Sequence, residues 1–566
     1  FSTEIGDLTF RSITGYRESK VDNENEDIDY SAADAIGNQR YLTDIDTFTQ
    51  EFRLSGTNGA MDWLVGAFYY DESIYFESDI DFGTQWRNYA NILVGGSPAA
   101  GEAVIGGLEA LLGYPTGTFF EPGTGVLEMA TMDNETMSVF GQASFDLTSR
   151  TQLTLGFNYL DDEKDVGISQ INDDAFSKLA LDGTDGATAL TNAGFLGAFP
   201  SAFAATFGLP FTPDNAALVG SSPAGAAGLQ QLQAGVLGQV AAAVAMADLS
   251  DPTQNPFLGL QALQFLPQML ELPNAADDGT SADEKFTYTA SINHEFSDQL
   301  NVYLTYATGY KATSWNLSRD TRPTQGEYDA LVSAGVALPN NLTIGTRLAG
   351  PEESEVLELG IKYNAQWGYI NAAFFNQTIE GFQSNVFTGA GFNLANAGEQ
   401  SVDGVEVDVM LRPTERLSLG VSGTYLDPFY DAFVGANVGG AAEDLSGTKP
   451  GGIPELTLSL IGSYDFTIMG MDAWIQADYR YDKEVDIQDG GDQSATNILL
   501  ETTGSRTREV GLLNASVGIA KNGWEFRVWG RNLTNDEYLI TWFPSVAQTG
   551  SFSGYPNQPR MWGASI

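Results

Sequence analysis

The sequence predicts an all-β protein, a transmembrane antiparallel β-barrel of about 16 strands with long external loops. Three observations predict it. Apolar and polar residues alternate with period two over runs of about ten residues, the length of a tilted membrane strand. The connections between these runs are alternately very short and long, as in outer-membrane barrels, where turns lie on one side and loops on the other. Aromatic residues gather at strand ends, where girdles at the headgroup level belong.

The alternation is concrete. In Gln152–Tyr159, Leu153, Leu155, Phe157 and Tyr159 share one face, against Gln152, Thr154, Gly156 and Asn158. Lys285–Phe296 sets Phe286, Tyr288, Ala290, Ile292 and Phe296 against Lys285, Thr287, Thr289, Ser291 and Asn293. Leu300–Tyr310, Glu399–Arg412 and Arg416–Tyr425 repeat the pattern. An ordinary half-buried sheet also alternates, but it has no reason to sort its loops by side. Short turns fall near Thr57–Asp62, Thr148–Thr151, Ser297–Leu300, Ala365–Gly368, Arg412–Arg416, Ile468–Met471 and Lys521–Gly523. Long connections cover roughly 20–45, 75–130, 166–283, 314–352, 382–396, 431–452, 488–505 and 536–557.

In chain order the strands fall at about 7–19, 46–56, 62–74, 131–147, 151–165, 284–297, 300–313, 353–365, 368–381, 397–412, 416–430, 454–467, 471–487, 506–521, 523–535 and 558–566. Candidate girdle aromatics are Tyr69, Tyr70, Tyr159, Tyr310, Tyr425, Tyr479, Tyr481, Trp524 and Tyr538. The whole chain, 1–566, reads as one barrel domain, with 166–283 as a long external insert rich in Ala and Gly. Gly228–Leu249 and Ala99–Leu112 have helical character. The insert reads either as a packed surface excursion or as a lid. Sixteen strands close as a passive porin or form the C-terminal 16 of a 22-stranded plugged transporter.

Composition excludes other classes. There are 26 basic and 74 acidic residues in 566, a net charge of −48, which rules out general nucleic-acid binding. The chain has no Cys, which removes disulfides, thiolate zinc sites and cysteine catalysis. Its single His, His294, rules out a multi-histidine metal centre and falls on an apolar face beside a turn. No Gly-Lys dipeptide and no G-x-S-x-G elbow occurs, so neither a P-loop nor a nucleophile elbow is present. No catalytic residue, metal site or cofactor is expected, and the protein is read as no enzyme. The acidic runs Asp22–Asp29 and Asp161–Asp165 are expected in loops as solvated, self-repelling segments, with Ca²⁺ held against lipopolysaccharide as the alternative.

Particular segments carry a family resemblance. They are Leu8–Arg17 (LTFRSITGYR), Phe48–Tyr70, Ser138–Lys164, Asn301–Lys311 (NVYLTYATGYK), Glu353–Tyr363 (ESEVLELGIKY), Asn396–Val409 (NAGEQSVDGVEVDV), Trp529–Tyr538 (WGRNLTNDEY) and Pro559–Gly563 (PRMWG). In their order and spacing they resemble the C-terminal barrel portion of TonB-dependent outer-membrane receptors. The family's plug, first strands and TonB-contacting box have no counterpart here, and both ends of the chain read as trimmed. The resemblance implies a multi-pass barrel in the Gram-negative outer membrane, in contact with lipid and lipopolysaccharide. It implies active uptake of a scarce nutrient, by default a ferric siderophore, with energy from TonB through a missing N-terminal segment. Oligosaccharide or cobalamin uptake is the alternative cargo. Ligand contacts are expected among external aromatic and basic residues: Trp86, Arg87, Tyr310, Lys311, Trp315, Arg319, Arg322 and Trp542. Arg and Trp together suit an anionic iron chelate through charge-assisted hydrogen bonds and stacking. The same aromatics suit sugar rings.

Overall fold

The computed structural model describes residues 1–29, 31–264, 270–319, 322–338, 342, 344–345, 347–387, 391–438, 441–489, 506–545 and 551–566. The connection expected at 488–505 lies almost wholly outside the described residues. One antiparallel sheet of 17 strands runs through the chain. Its strands are β1 (Ser2–Ile5), β2 (Leu8–Asp27), β3 (Ile36–Asn58), β4 (Met61–Phe82), β5 (Gly125–Thr148) and β6 (Thr151–Asn172). They continue with β7 (Thr280–Glu295), β8 (Leu300–Lys311), β9 (Glu352–Ala365), β10 (Gly368–Glu380), β11 (Glu399–Thr414) and β12 (Leu417–Ala432). The last are β13 (Leu456–Ile468), β14 (Met471–Asp486), β15 (Thr507–Lys521), β16 (Trp524–Arg531) and β17 (Met561–Ser565). Each strand pairs with the next in sequence. Among the described residues no ladder joins β1 to β17.

All sixteen expected strands form. The additional one, β1, folds back on β2 through Gly6, whose φ of +65° suits a residue without Cβ. The two-residue turns Met469-Gly470 (φ +53°, +71°) and Asn522-Gly523 (φ +52°, +84°) have the left-handed pairs of type I′ hairpins, which match strand twist.

The two faces separate as the alternation requires. Phe52, Ala67, Val139, Tyr159 and Phe286 lie side by side across β3 to β7. Leu304, Leu359, Phe374, Val405 and Tyr425 do the same across β8 to β12. All but the half-buried Val405 are solvent-exposed in the isolated chain (Val139 54%, Leu304 43%), the arrangement of a lipid-facing band. The opposite face carries hydroxyls. Ser144, Thr154, Ser291 and Thr305 form one row, with Ser144 to Thr154 at 2.9 Å and Ser291 to Thr305 at 2.7 Å. His294 stands at the short-turn end, its Nδ1 2.9 Å from the Thr151 hydroxyl.

Strand length departs from expectation. β2 to β6 have 20 to 24 residues. Twenty-four residues at ~3.3 Å each reach about 80 Å, against an apolar band about 25 Å tall. The outward face changes where the band ends: Met137 to Phe145 of β5 are apolar at alternate positions, whereas Thr131, Asp133 and Glu135 are polar. The upper halves therefore stand clear of the membrane as a collar. This corrects the placement of the acidic runs. Asp22–Asp27 belongs to β2 and Asp161–Asp165 to β6, because continuous pairing outweighs the poor strand propensity of Asp and Asn. Arg40 helps by bridging Asp22 (3.1 Å) and Glu77 (3.2 Å).

The connections above the sheet are structured. They hold helices α1 (Trp86–Gly95), α2 (Pro98–Leu112), α3 (Thr184–Phe207), α4 (Pro213–Gly220), α5 (Pro223–Val244) and α6 (Gln325–Ser333). Ser97, Thr212 and Ser222 cap α2, α4 and α5, each followed by Pro at the first helical position. No described helix is long and apolar enough to cross a membrane. Four two-stranded hairpins also form, at 314–315/348–349, 383–387/392–396, 434–438/441–444 and 539–544/552–556.

Candidate ligand mouth

The inner face of the collar is layered. Ile36 and Phe82 form the highest row, then Ile80 and Val126, with Tyr41, Ser78, Glu128 and Gln170 one step below. Phe76, Ala130 and Ile168 come next, then Ile74, Met132 and Val166. Beneath these apolar rows the wall turns polar, with Glu72, Asn134, Lys164 and Ser281 above Tyr70, Thr136, Asp162 and Asp283.

Two external segments fold inward onto this wall. The first is the connection after β8. Its Trp315 is 8% exposed and packs against Phe76, Ala130, Val166, Ile168 and Leu272. The indole N–H donates to Ser281 Oγ at 3.0 Å, and the Thr313 N–H to Asp283 Oδ2 at 2.9 Å. The hairpin 314–315/348–349 fixes the return limb. Arg347 anchors that limb by pairing with Asp277 and with Glu327 at 2.5 Å. Gln383 stitches the same place: its amide Nε2 donates to the Ala312 and Gly350 carbonyls at 3.0 and 2.9 Å, and its Oε1 accepts from Ser314 Oγ at 2.6 Å.

The second segment is 83–124, which caps the top of β4 and β5. Trp86 stacks on Phe82 with ring centroids 5.4 Å apart. Arg87 reaches from α1 to Glu102 (2.8 Å) and Glu109 (2.7 Å) on α2 and to the Phe119 carbonyl (2.9 Å). Burial disfavours the Glu109 charge, but Arg87 and the N–H groups of Phe119 and Gly117 outweigh it and hold the carboxyl below its ordinary range.

The eight expected contact residues divide. Trp86 (1% exposed), Trp315 and Trp542 are packing residues, the last held by Ile487 and by Phe552 at 5.4 Å. Arg87 is committed to its two glutamates. The physical reason is common: external connections this long bury their own aromatics and salt bridges. Tyr310 and Lys311 end β8, and Arg319 and Arg322 lie in the connection that follows it. The β7–β8 ladder ends at Thr289–Ala307, and above it Tyr310 reaches toward Asp283. Lys311 is exposed, 3.6 Å from Glu352. Arg319 has φ of +51° and lies over the Phe392 ring, 5.9 Å from its centroid. Arg322 rests against Gly345. Sequence reasoning missed Glu128, Asp162, Asp283 and Arg347. Glu128 left one signal, an acid in the otherwise apolar series Val126, Ala130, Met132.

Residues 259–533 match the family model described as TonB dependent receptor-like, beta-barrel. The matched region, just under half of the chain, is similar to that family. The receptor barrel's fold is shared with solved structures of low identity. One is the ferric yersiniabactin uptake receptor FyuA from Yersinia pestis (TM-score 0.59, 13% identity, 100% of this chain and 59% of that one). Another is the siderophore receptor PiuA from Acinetobacter baumannii (TM-score 0.54, 14% identity, 99% and 62%). A third is the copper transporter OprC (TM-score 0.53, 10% identity, 98% and 61%). The chain thus spans about three-fifths of the length of these proteins. No curated protein matches the sequence. Family and lipid-facing band together place the receptor barrel in the outer membrane.

Proposed function

We propose that this chain is the barrel portion of an outer-membrane receptor that captures a scarce nutrient at its external mouth and imports it with energy from the TonB system. A ferric siderophore is the favoured cargo. The observation that carries this reading is the family match combined with a mouth covered by inward-folded segments, with Tyr310 and Lys311 ending β8 and Arg319 and Arg322 in the connection after it. The guanidinium and ammonium groups there suit an anionic chelate. Two neighbours named for siderophore uptake support the cargo class, whereas a copper transporter of the same fold supports a wider range of cargo, with oligosaccharide or cobalamin as alternatives. Binding and transport involve no covalent chemistry, so the protein acts as no enzyme. Lipid and lipopolysaccharide surround it in this reading, and TonB supplies the energy.

A passive porin is the competing reading. It fits the strand count but not the cover packed into the mouth. The experiment is uptake of radiolabelled ferric chelates by iron-limited cells with and without the gene. The account expects gene-dependent uptake that a protonophore abolishes, and a K311Q/R319Q pair that weakens uptake about tenfold. Protonophore-insensitive flux with steady single-channel conductance would establish the porin instead.

A further inference from the structure

Among the described inner-wall residues, Glu128 is a carboxylate set among apolar neighbours. Its side chain is 1% exposed, and neither carboxyl oxygen has a hydrogen-bond partner among the described residues. It sits between two apolar clusters. Val126 and Ile80 above it belong to the core beneath α1 and α2, and Ala130 below it belongs to the cluster that receives Trp315. A carboxylate left ionised and unpaired in such a place is costly, whereas a protonated carboxyl is far less so. Flanking residues do not supply a charge. In the same row β3 presents Tyr41, β4 presents Ser78 and β6 presents Gln170. Glu77 and Asp79 point to the other face of β4. The charged group acting on Glu128 is Arg319, on the segment that folds in over the wall, and its own Nε is buried without a partner.

We propose that the inward-folded segment 312–319 with its return limb 347–351 is a proton-controlled cover: it seats on the wall while Glu128 is protonated, and loosens when Glu128 ionises. The geometry supplies the device: Trp315 packs on Phe76, Ala130 and Ile168, the row next to Glu128 on the same face of the wall, so lifting the segment bares the neighbours of that carboxyl. Burial pushes the Glu128 carboxyl up from 4.5 to about 7, with Arg319 opposing in part. The direction follows by linkage. The seated form holds its proton more tightly than the lifted form, where the carboxyl is hydrated and ordinary. The seated form's advantage is therefore complete below about pH 4.5 and is lost as pH rises to about 7. A shift of this size allows at most about a 300-fold change in the seating equilibrium.

The test is hydrogen exchange of peptides spanning 312–319 and 347–351, in the protein purified from outer membranes in detergent. Wild type and E128Q are compared at each pH, so that the intrinsic pH dependence of exchange cancels. The wild-type to E128Q rate ratio is expected near one at pH 4.5 and tenfold or more at pH 7.5. R319Q steepens the rise, and E128Q/R319Q is flat against E128Q. Peptides from β9 and β10 show no such ratio. A ratio that stays constant from pH 4.5 to 8 overturns the proposal. Should E128Q fail to insert, trypsin cleavage after Arg319 and after Arg347 in wild type replaces it. Cleavage independent of pH, after correction for trypsin's own profile, is then the contradicting result.

Discussion

The lower and upper halves of β4, β5 and β6 are made of the same strands yet obey different rules. In the lower half the solvent on one face is hydrocarbon. Every second residue must be apolar, turns are minimal, and the backbone is satisfied strand to strand. In the upper half both faces meet water or protein. Acids such as Asp133, Glu135, Glu163 and Asp165 stand on the outward face, while the inward face is covered by helices and returning loops. The lesson is that strand continuity is a property of the backbone ladder, whereas residue pattern is a property of the environment. The ladder crosses the boundary; the pattern does not.

This contrast can be broken from either side. The largest effect is expected in the collar. Arg87→Ala leaves Glu109, fully buried, without its guanidinium partner. Breaking such a pair costs about 3–5 kcal/mol. The loss is local: protease cleavage between α1 and α2 rises sharply, while the heat-modifiable mobility of the barrel stays unchanged. Next comes the band. Leu155→Arg places a charge on the lipid face and costs about 2–4 kcal/mol of the whole barrel, whereas Thr154→Arg, one residue away on the inner face, changes it little. Urea unfolding in lipid vesicles reads both, and equal costs at the two positions would invert the face assignment. The smallest effect belongs to the turns. Gly523→Ala at φ +84° costs about 1 kcal/mol, read as a lowered unfolding midpoint with the same insertion topology.

What was legible in the sequence follows the same divide. The lower half was readable strand by strand, since alternation there is enforced by lipid, and the short turns marked each register. The upper half was readable only in pieces. The end of β2 was hidden because DNENED lacks strand propensity and owes its structure to pairing with β3. Helix α5 is legible in part from Gly228–Leu249, and Thr212-Pro213 before α4 is a cap signal of the same kind as Ser222-Pro223 before α5. The site was the least legible. Trp86, Trp315 and Trp542 read as exposed recognition residues because they lie in external loops, and no local pattern reveals that those loops pack inward. Lys311 is exposed at the end of β8 and Arg319 lies over Phe392, and Glu128 stands out once the parity of β5 is fixed.

The most direct test of the account is a cysteine scan along β5, which the Cys-free chain permits without background. Single cysteines at Thr131, Asp133, Glu135, Met137, Val139, Ala143 and Phe145 would be treated in whole cells with a membrane-impermeant maleimide. The account predicts rapid labelling at 131, 133 and 135 and protection from 137 through 145, with fluorophores at the protected sites quenched by lipid-borne nitroxides. Uniform labelling along all seven positions would contradict a membrane band that ends at Met137, and with it the division of the strands into wall and collar.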